Sequence, residues 1–99
     1  MLTFEKVLAV FADYLQHDPL YEVVLTKHGY TLMAWEPARS TWHSAEYTAT
    51  PEALLDGLLD AYASFMEDQA TGNERDLTEQ ETAEIKRQCD LLQAKCMVK

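Results

Sequence analysis

"YEVVLTKHGYTLMAWEPARSTWHSAEYT" runs from Tyr21 to Thr48, and its period decides the fold. The stretch is rich in β-branched and aromatic residues that do not recur at helical spacing, which is the pattern of strands. Two turn signals divide it. YEVVLTK (21–27) and YTLMAWE (30–36) flank His28-Gly29, read as a two-residue hairpin turn whose glycine supplies a positive φ. EPARS (36–40) makes the second turn, and TWHSAEYT (41–48) the third strand. Connections this short force neighbouring strands to run antiparallel, so the middle of the chain is a three-stranded meander.

Helices flank it. Thr3 caps a helix over residues 4–16, in which Phe4, Val7, Leu8, Phe11, Tyr14 and Leu15 recur at three- and four-residue steps. It ends at His17-Asp18-Pro19, because the residue before a proline is pushed out of helical geometry. After the meander, Thr50 caps and Pro51 occupies the first position of a helix over 51–69, which Gly72 terminates. Thr78 and Glu81 form a capping box that opens a last helix over 79–96, with a thin stripe of Ile85, Cys89, Leu92 and Cys96. The expected fold is α+β, in the order α-β-β-β-α-α, with helices packed on one face of the sheet and the last helix appended to the second.

The supposed turns also imply a register. His28-Gly29 would pair Lys27 with Tyr30, Leu25 with Leu32 and Val23 with Ala34, and the second turn would pair Trp35 with Trp42 and Leu32 with Ala45. Alternation then puts Tyr21, Val23, Leu25, Tyr30, Leu32, Ala34, Ala45 and Tyr47 toward the helices, with His43 among them as a hydrogen-bonded core histidine. The opposite face carries Met33, Trp35 and Trp42 beside Val24, ringed by Thr, Ser and Glu. A two-layer domain leaves that face open to water, and an open aromatic patch is a candidate binding surface.

Ninety-nine residues, 47% of them hydrophobic and 25% charged, suit one domain with a single core. The acidic and basic residues are unevenly placed. From Glu46 to Glu84 there are eleven acids and one base, Arg75, a net of −10; the rest of the chain has six acids and seven bases, a net of +1. Phosphate repulsion at such a surface argues against direct binding of nucleic acid or an anionic membrane. The first twenty residues carry Glu5, Lys6 and Asp13 inside the apolar pattern and do not read as a signal peptide. No run approaches the ~20 apolar residues of a membrane span. Cys89 and Cys96, seven apart on one helix, are separated by about 10 Å along its axis. That exceeds the roughly 7 Å a disulfide tolerates between α-carbons, so free thiols in a reducing cytoplasm are expected.

No catalytic motif appears: no phosphate loop, no G-x-S-x-G, no second ligand near His17, His28 or His43 to suggest zinc, and no local base to activate Cys89. The expectation is a protein without cofactor, metal or enzymatic activity. An α-β-β-β-α order resembles the double-stranded-RNA-binding domain. Those domains grip phosphates with basic residues at the start of the second helix. Here that position reads TPEALLDGLL, with Glu52 and Asp56 where lysines are wanted. On the same helix, Glu52, Asp56 and Asp60 step by four, and Glu67 and Asp68 continue the acidic side. No lysine is interspersed between Pro51 and Gly72.

The segments MLTFEKVLAVFADYL, YEVVLTKHGYTLMAW and TPEALLDGLLDAYASFMEDQATGNERDLTEQE resemble a group of small uncharacterised proteins encoded in conjugative and other mobile elements of gut Firmicutes. The resemblance implies a bacterial cytoplasmic accessory protein and brings no catalytic residues with it. Two functions are expected from these features. In the first, Glu52, Asp56, Asp60, Glu67 and Asp68 meet a basic protein surface, including the nucleic-acid site of a DNA-binding protein. In the second, Met33, Trp35 and Trp42 take a small molecule, a peptide or another copy of the chain.

Overall fold

The computed structural model describes residues 1–97. Its elements are α1 (Phe4–His17), β1 (Tyr21–Thr26), β2 (Gly29–Glu36), β3 (Thr41–Tyr47), α2 (Pro51–Thr71) and α3 (Glu79–Met97). The sheet is a meander in the order β1-β2-β3, antiparallel throughout. The α-β-β-β-α-α order and the mixed class agree with the reading of the sequence.

The caps explain the boundaries. The Thr3 hydroxyl accepts from the Lys6 amide and the Thr50 hydroxyl from the Ala53 amide, each at 3.1 Å, so the orphan donors at the starts of α1 and α2 are partly satisfied. Asp18 leaves α1 in extended geometry ahead of Pro19. Gly72, at φ 60°, closes α2 two residues beyond the expected end by donating to the Asp68 carbonyl. Thr78 and Glu81 make the reciprocal capping box, at 3.0 and 3.1 Å. Arg75 then clamps the α2–α3 turn: its guanidinium grips both Glu81 oxygens at 2.8 Å and donates to the Ala70 and Asp76 carbonyls.

The core lies between the inner face of the sheet and the helices. Val7, Phe11, Leu54 and Leu58 are fully buried, with Leu32, Ala34, Leu55 and Ala61 nearly so. Helix α2 crosses β2 closely, because Gly57 sits over Leu32; a Cβ at position 57 would lie 3.1 Å from a Leu32 methyl. Tyr14 is ringed edge-on by Phe11, Tyr62 and Phe65. Helix α3 is more than a hairpin partner of α2: it touches α1 as well, and Cys96 closes the core from that side.

The register departs from the expected one in two places. The first turn is Lys27-His28, so Val23 pairs with Leu32 and Leu25 with Tyr30, two residues from the expected pairing. The Thr26 hydroxyl decides this by accepting the His28 amide and donating to the Gly29 carbonyl, both at 3.1 Å. Gly29, at φ 127°, then begins β2 in a conformation that favours glycine. A two-residue shift keeps every side chain on its face.

The second departure does not. Trp35 pairs with Trp42 as expected, but Ala34 pairs with Ser44, leaving His43 as an extra residue in β3. Past this bulge Leu32 pairs with Glu46, not Ala45, and Ala45 and Tyr47 share the outer face with Met33 and Thr31. His43 is therefore an exposed bulge residue and not a core histidine. Every residue of β3 is exposed.

Candidate functional site

The sequence nominates two surfaces, and the fold puts them on different layers. The acids of α2 lie in the helical layer. At about 100° per residue, Glu52, Asp56, Asp60 and Glu67 fall within an arc of about 80°, and Asp68 lies about 80° beyond it. The four on the arc are exposed. Asp60 and Glu67 border the groove where α2 meets α3, opposite Thr82 and Ile85. Asp68 does not belong with them. It is half-buried and faces the α1–β1 turn in a cleft shared with Pro19, Leu20 and Phe65.

The ion pairs sharpen this picture. Among the described residues they are Arg39–Glu36, Arg75–Glu81, Lys86–Asp90 and Arg87–Glu84. None reaches an acid of α2. The one base of the acidic segment, Arg75, is committed to Glu81, which its guanidinium holds well below the usual carboxylate range, at about 2. Glu84 is held down to about 2 by the hydrogen bond from Arg87, with help from Gln88. Glu84 and Asp90 thus have cations on their own helix and Glu81 has one in the turn before it, whereas among the described residues no ion pair reaches the arc on α2.

The second surface is the outer face of the sheet. Trp35 and Trp42 meet edge to face, their centroids 5.0 Å apart and their planes at 77°, the arrangement that aromatic quadrupoles favour. Trp42 is 39% exposed, and Trp35 and Met33 are half-buried. The outer face has no place in the core cluster. It gains Tyr47 and Ala45 through the bulge, which makes it more aromatic than the sequence suggested.

The tryptophans also border a feature that the sequence did not reveal. An open groove of about 580 Å³ extends from Leu8 and Leu15 on α1, along Leu20 and Val23, to Trp35 and Trp42. Its walls include residues from both faces of the sheet, so it wraps the β1 edge. Leu8 and Leu15 read as ordinary core positions on a helical stripe. Only the tertiary fold brings them beside the tryptophans, and no local pattern encodes that.

Chemically reactive groups are sparse. Burial pushes up the thiols of Cys89 and Cys96, and both cysteines are free. Burial, and then the hydrogen bond to Asp18, raises Tyr14. Among the described residues no three His, Cys, Asp or Glu side chains gather in a way that could hold a metal ion. No helix among them is long and apolar enough to cross a membrane. Compared with protein-family models, curated proteins and solved structures, the chain matches none of them.

Proposed function

We propose that the chain is a small non-enzymatic interaction protein whose α2 arc, Glu52, Asp56, Asp60 and Glu67, docks on a basic protein surface. What supports the reading is the contrast between neighbouring helices: α3 interleaves its acids with lysine and arginine, and α2 carries five acids and no base. Like charges four apart disfavour a helix, so leaving them unrelieved has a small stability cost that a purely structural helix avoids. The resemblance to mobile-element proteins fits an accessory role in a bacterial cytoplasm, and a nucleic-acid-binding site is one kind of surface these carboxylates match. Nucleic acid itself is not the partner, since both would be anionic.

The test is capture of partners from bacterial lysate at low and high salt, with the Asp56→Lys/Asp60→Lys double variant as control. A basic protein retained at low salt, released at high salt and lost with the variant is the expected result. Capture that neither salt nor charge reversal alters would count against the arc.

A further inference from the structure

The β1 edge and the tryptophan pair border one groove, apart from the α2 arc. We propose that the groove at this edge binds an extended basic peptide segment of a partner protein, which adds as a strand beside β1 and places a lysine or arginine against Trp35 and Trp42.

Three observations carry this. The first is the edge itself. β1 ends the sheet, and the Trp35 amide donates to the Leu20 carbonyl. Alternation of the antiparallel ladder from that bond turns the backbone groups of Tyr21, Val23 and Leu25 away from β2, toward the open side. Tyr21 and Val23 line the groove, so an incoming strand meets unpaired donors and acceptors where it meets apolar wall. This is the geometry of strand addition, in which main-chain bonds supply affinity and pockets for alternate side chains supply selectivity.

The second is the charge of the wall. Among the described residues its ionisable lining is Asp18, Tyr21 and Glu22, with no lysine, arginine or histidine. Asp18 is already engaged by the Tyr14 hydroxyl and the Leu20 amide. Glu22 is exposed and pairs with Met33, one step along the outer face from Trp35. A carboxylate beside two tryptophans set nearly at right angles favours a cation, which the ring faces attract by their quadrupoles.

The third is the contrast with the other edge. β3 carries the His43 bulge, a device that spoils an edge for pairing, and β1 pairs residue for residue from Tyr21 to Thr26 without one.

The test is selection of displayed random dodecapeptides against the full chain, followed by titration of the enriched peptide by tryptophan fluorescence and by amide shifts in NMR. The expected consensus alternates β-branched residues with lysine or arginine, and the largest shifts fall on Tyr21, Val23 and Leu25. Replacing the peptide's central arginine by citrulline, or Trp42→Ala in the protein, should each weaken binding by about tenfold. Glu22→Gln should weaken it less. Trp42 is exposed and outside the core, so its loss leaves the fold intact. The proposal is overturned if no peptide enriches, if enriched peptides lack basic residues, or if Trp42→Ala leaves affinity unchanged. It is also overturned if tetramethylammonium alone matches the peptide, or if intermolecular NMR contacts show β1 already paired with a second copy. None of these outcomes bears on the α2 arc, which Asp56→Lys/Asp60→Lys tests separately.

Discussion

Helices α2 and α3 are similar in length, 21 and 19 residues, and lie against each other, yet they meet solvent and core in opposite ways. α2 buries Leu54, Leu55, Leu58 and Ala61 and shows water an arc of carboxylates that no ion pair among the described residues reaches. α3 buries Cys96 alone and spends its exposed face on ion pairs spaced three and four apart. One helix supplies packing and leaves its charge available. The other supplies little packing and neutralises its own charge. A helix held by its apolar face can tolerate a repulsive back; a helix held weakly has more need of the local pairs.

That contrast makes a steep prediction. Leu58 is 0% exposed and Leu91 is 44% exposed. Leu58→Ala should destabilise the fold by about 2–5 kcal/mol, the cost of lost burial plus a cavity. Leu91→Ala should stay within about 0.5 kcal/mol of wild type. Urea unfolding of the two variants measures both, and comparable losses would mean that α3 carries more of the core than its burial suggests.

The next effect lies at the crossing of α2 over the sheet. Glycine is a poor residue for a helix interior, but at position 57 it lets the helix approach Leu32. Gly57→Leu should cost about 1–3 kcal/mol by overpacking, despite the better helix propensity. A gain in stability would show that α2 can lift from β2 freely. No equivalent position exists on the Leu91 face of α3, where a larger side chain meets water.

How far the sequence could be read follows from what kind of interaction sets each feature. Caps are local, and Thr3, Thr50, Pro51, Gly72 and the Thr78–Glu81 box were all legible. The cross-strand Trp35–Trp42 pair was legible too, because a four-residue turn fixes the first pairs beyond it, Glu36–Thr41 and then Trp35–Trp42, before the bulge intervenes. The His43 bulge was not, since nothing in TWHSAEYT marks the position where two residues will oppose one. That single insertion moved Tyr47 and Ala45 to the other face and took His43 out of the core. The first turn was misplaced because Thr26 competes with glycine chemistry through its hydroxyl, a side-chain bond that the His28-Gly29 signal masks. Asp68 adjoins Glu67 in sequence, yet one residue along a helix is about 100° around it, which separates the two. The groove at β1 needed the tertiary fold, because its walls come from α1, a turn and three strands.

The ion pairs of α3 set a pH window. Glu81 is lowered from 4.5 to about 2, chiefly by the Arg75 hydrogen bond, so the contact stabilises the folded state most when the carboxylate is ionised in both states. The contribution is complete above 4.5, declines as the unfolded glutamate binds its proton, and is gone once the pH has fallen through about 2. Unfolding of wild type and Glu81→Gln compared from pH 7 to pH 2 should give a gap that is constant near neutrality and closes on acidification. A gap that stayed constant down to pH 2 would assign the loss to the capping geometry and not to charge.

The smallest expected change in stability tests the comparison most directly. Asp56→Lys puts a base four residues after Glu52 and four before Asp60, giving α2 the spacing that α3 uses. Two like-charge neighbours become two favourable ones, and each such pair is worth about 0.2–0.5 kcal/mol in either direction. The variant should therefore unfold at the same or slightly higher urea concentration than wild type, because residue 56 is exposed. If the arc docks a basic surface, the same variant should lose most of its salt-sensitive binding. A protein that becomes no less stable and less able to bind has been holding its carboxylates apart for its partner. If Asp56→Lys keeps full binding, the unpaired arc is only the solvated back of a helix that its buried leucines already hold in place.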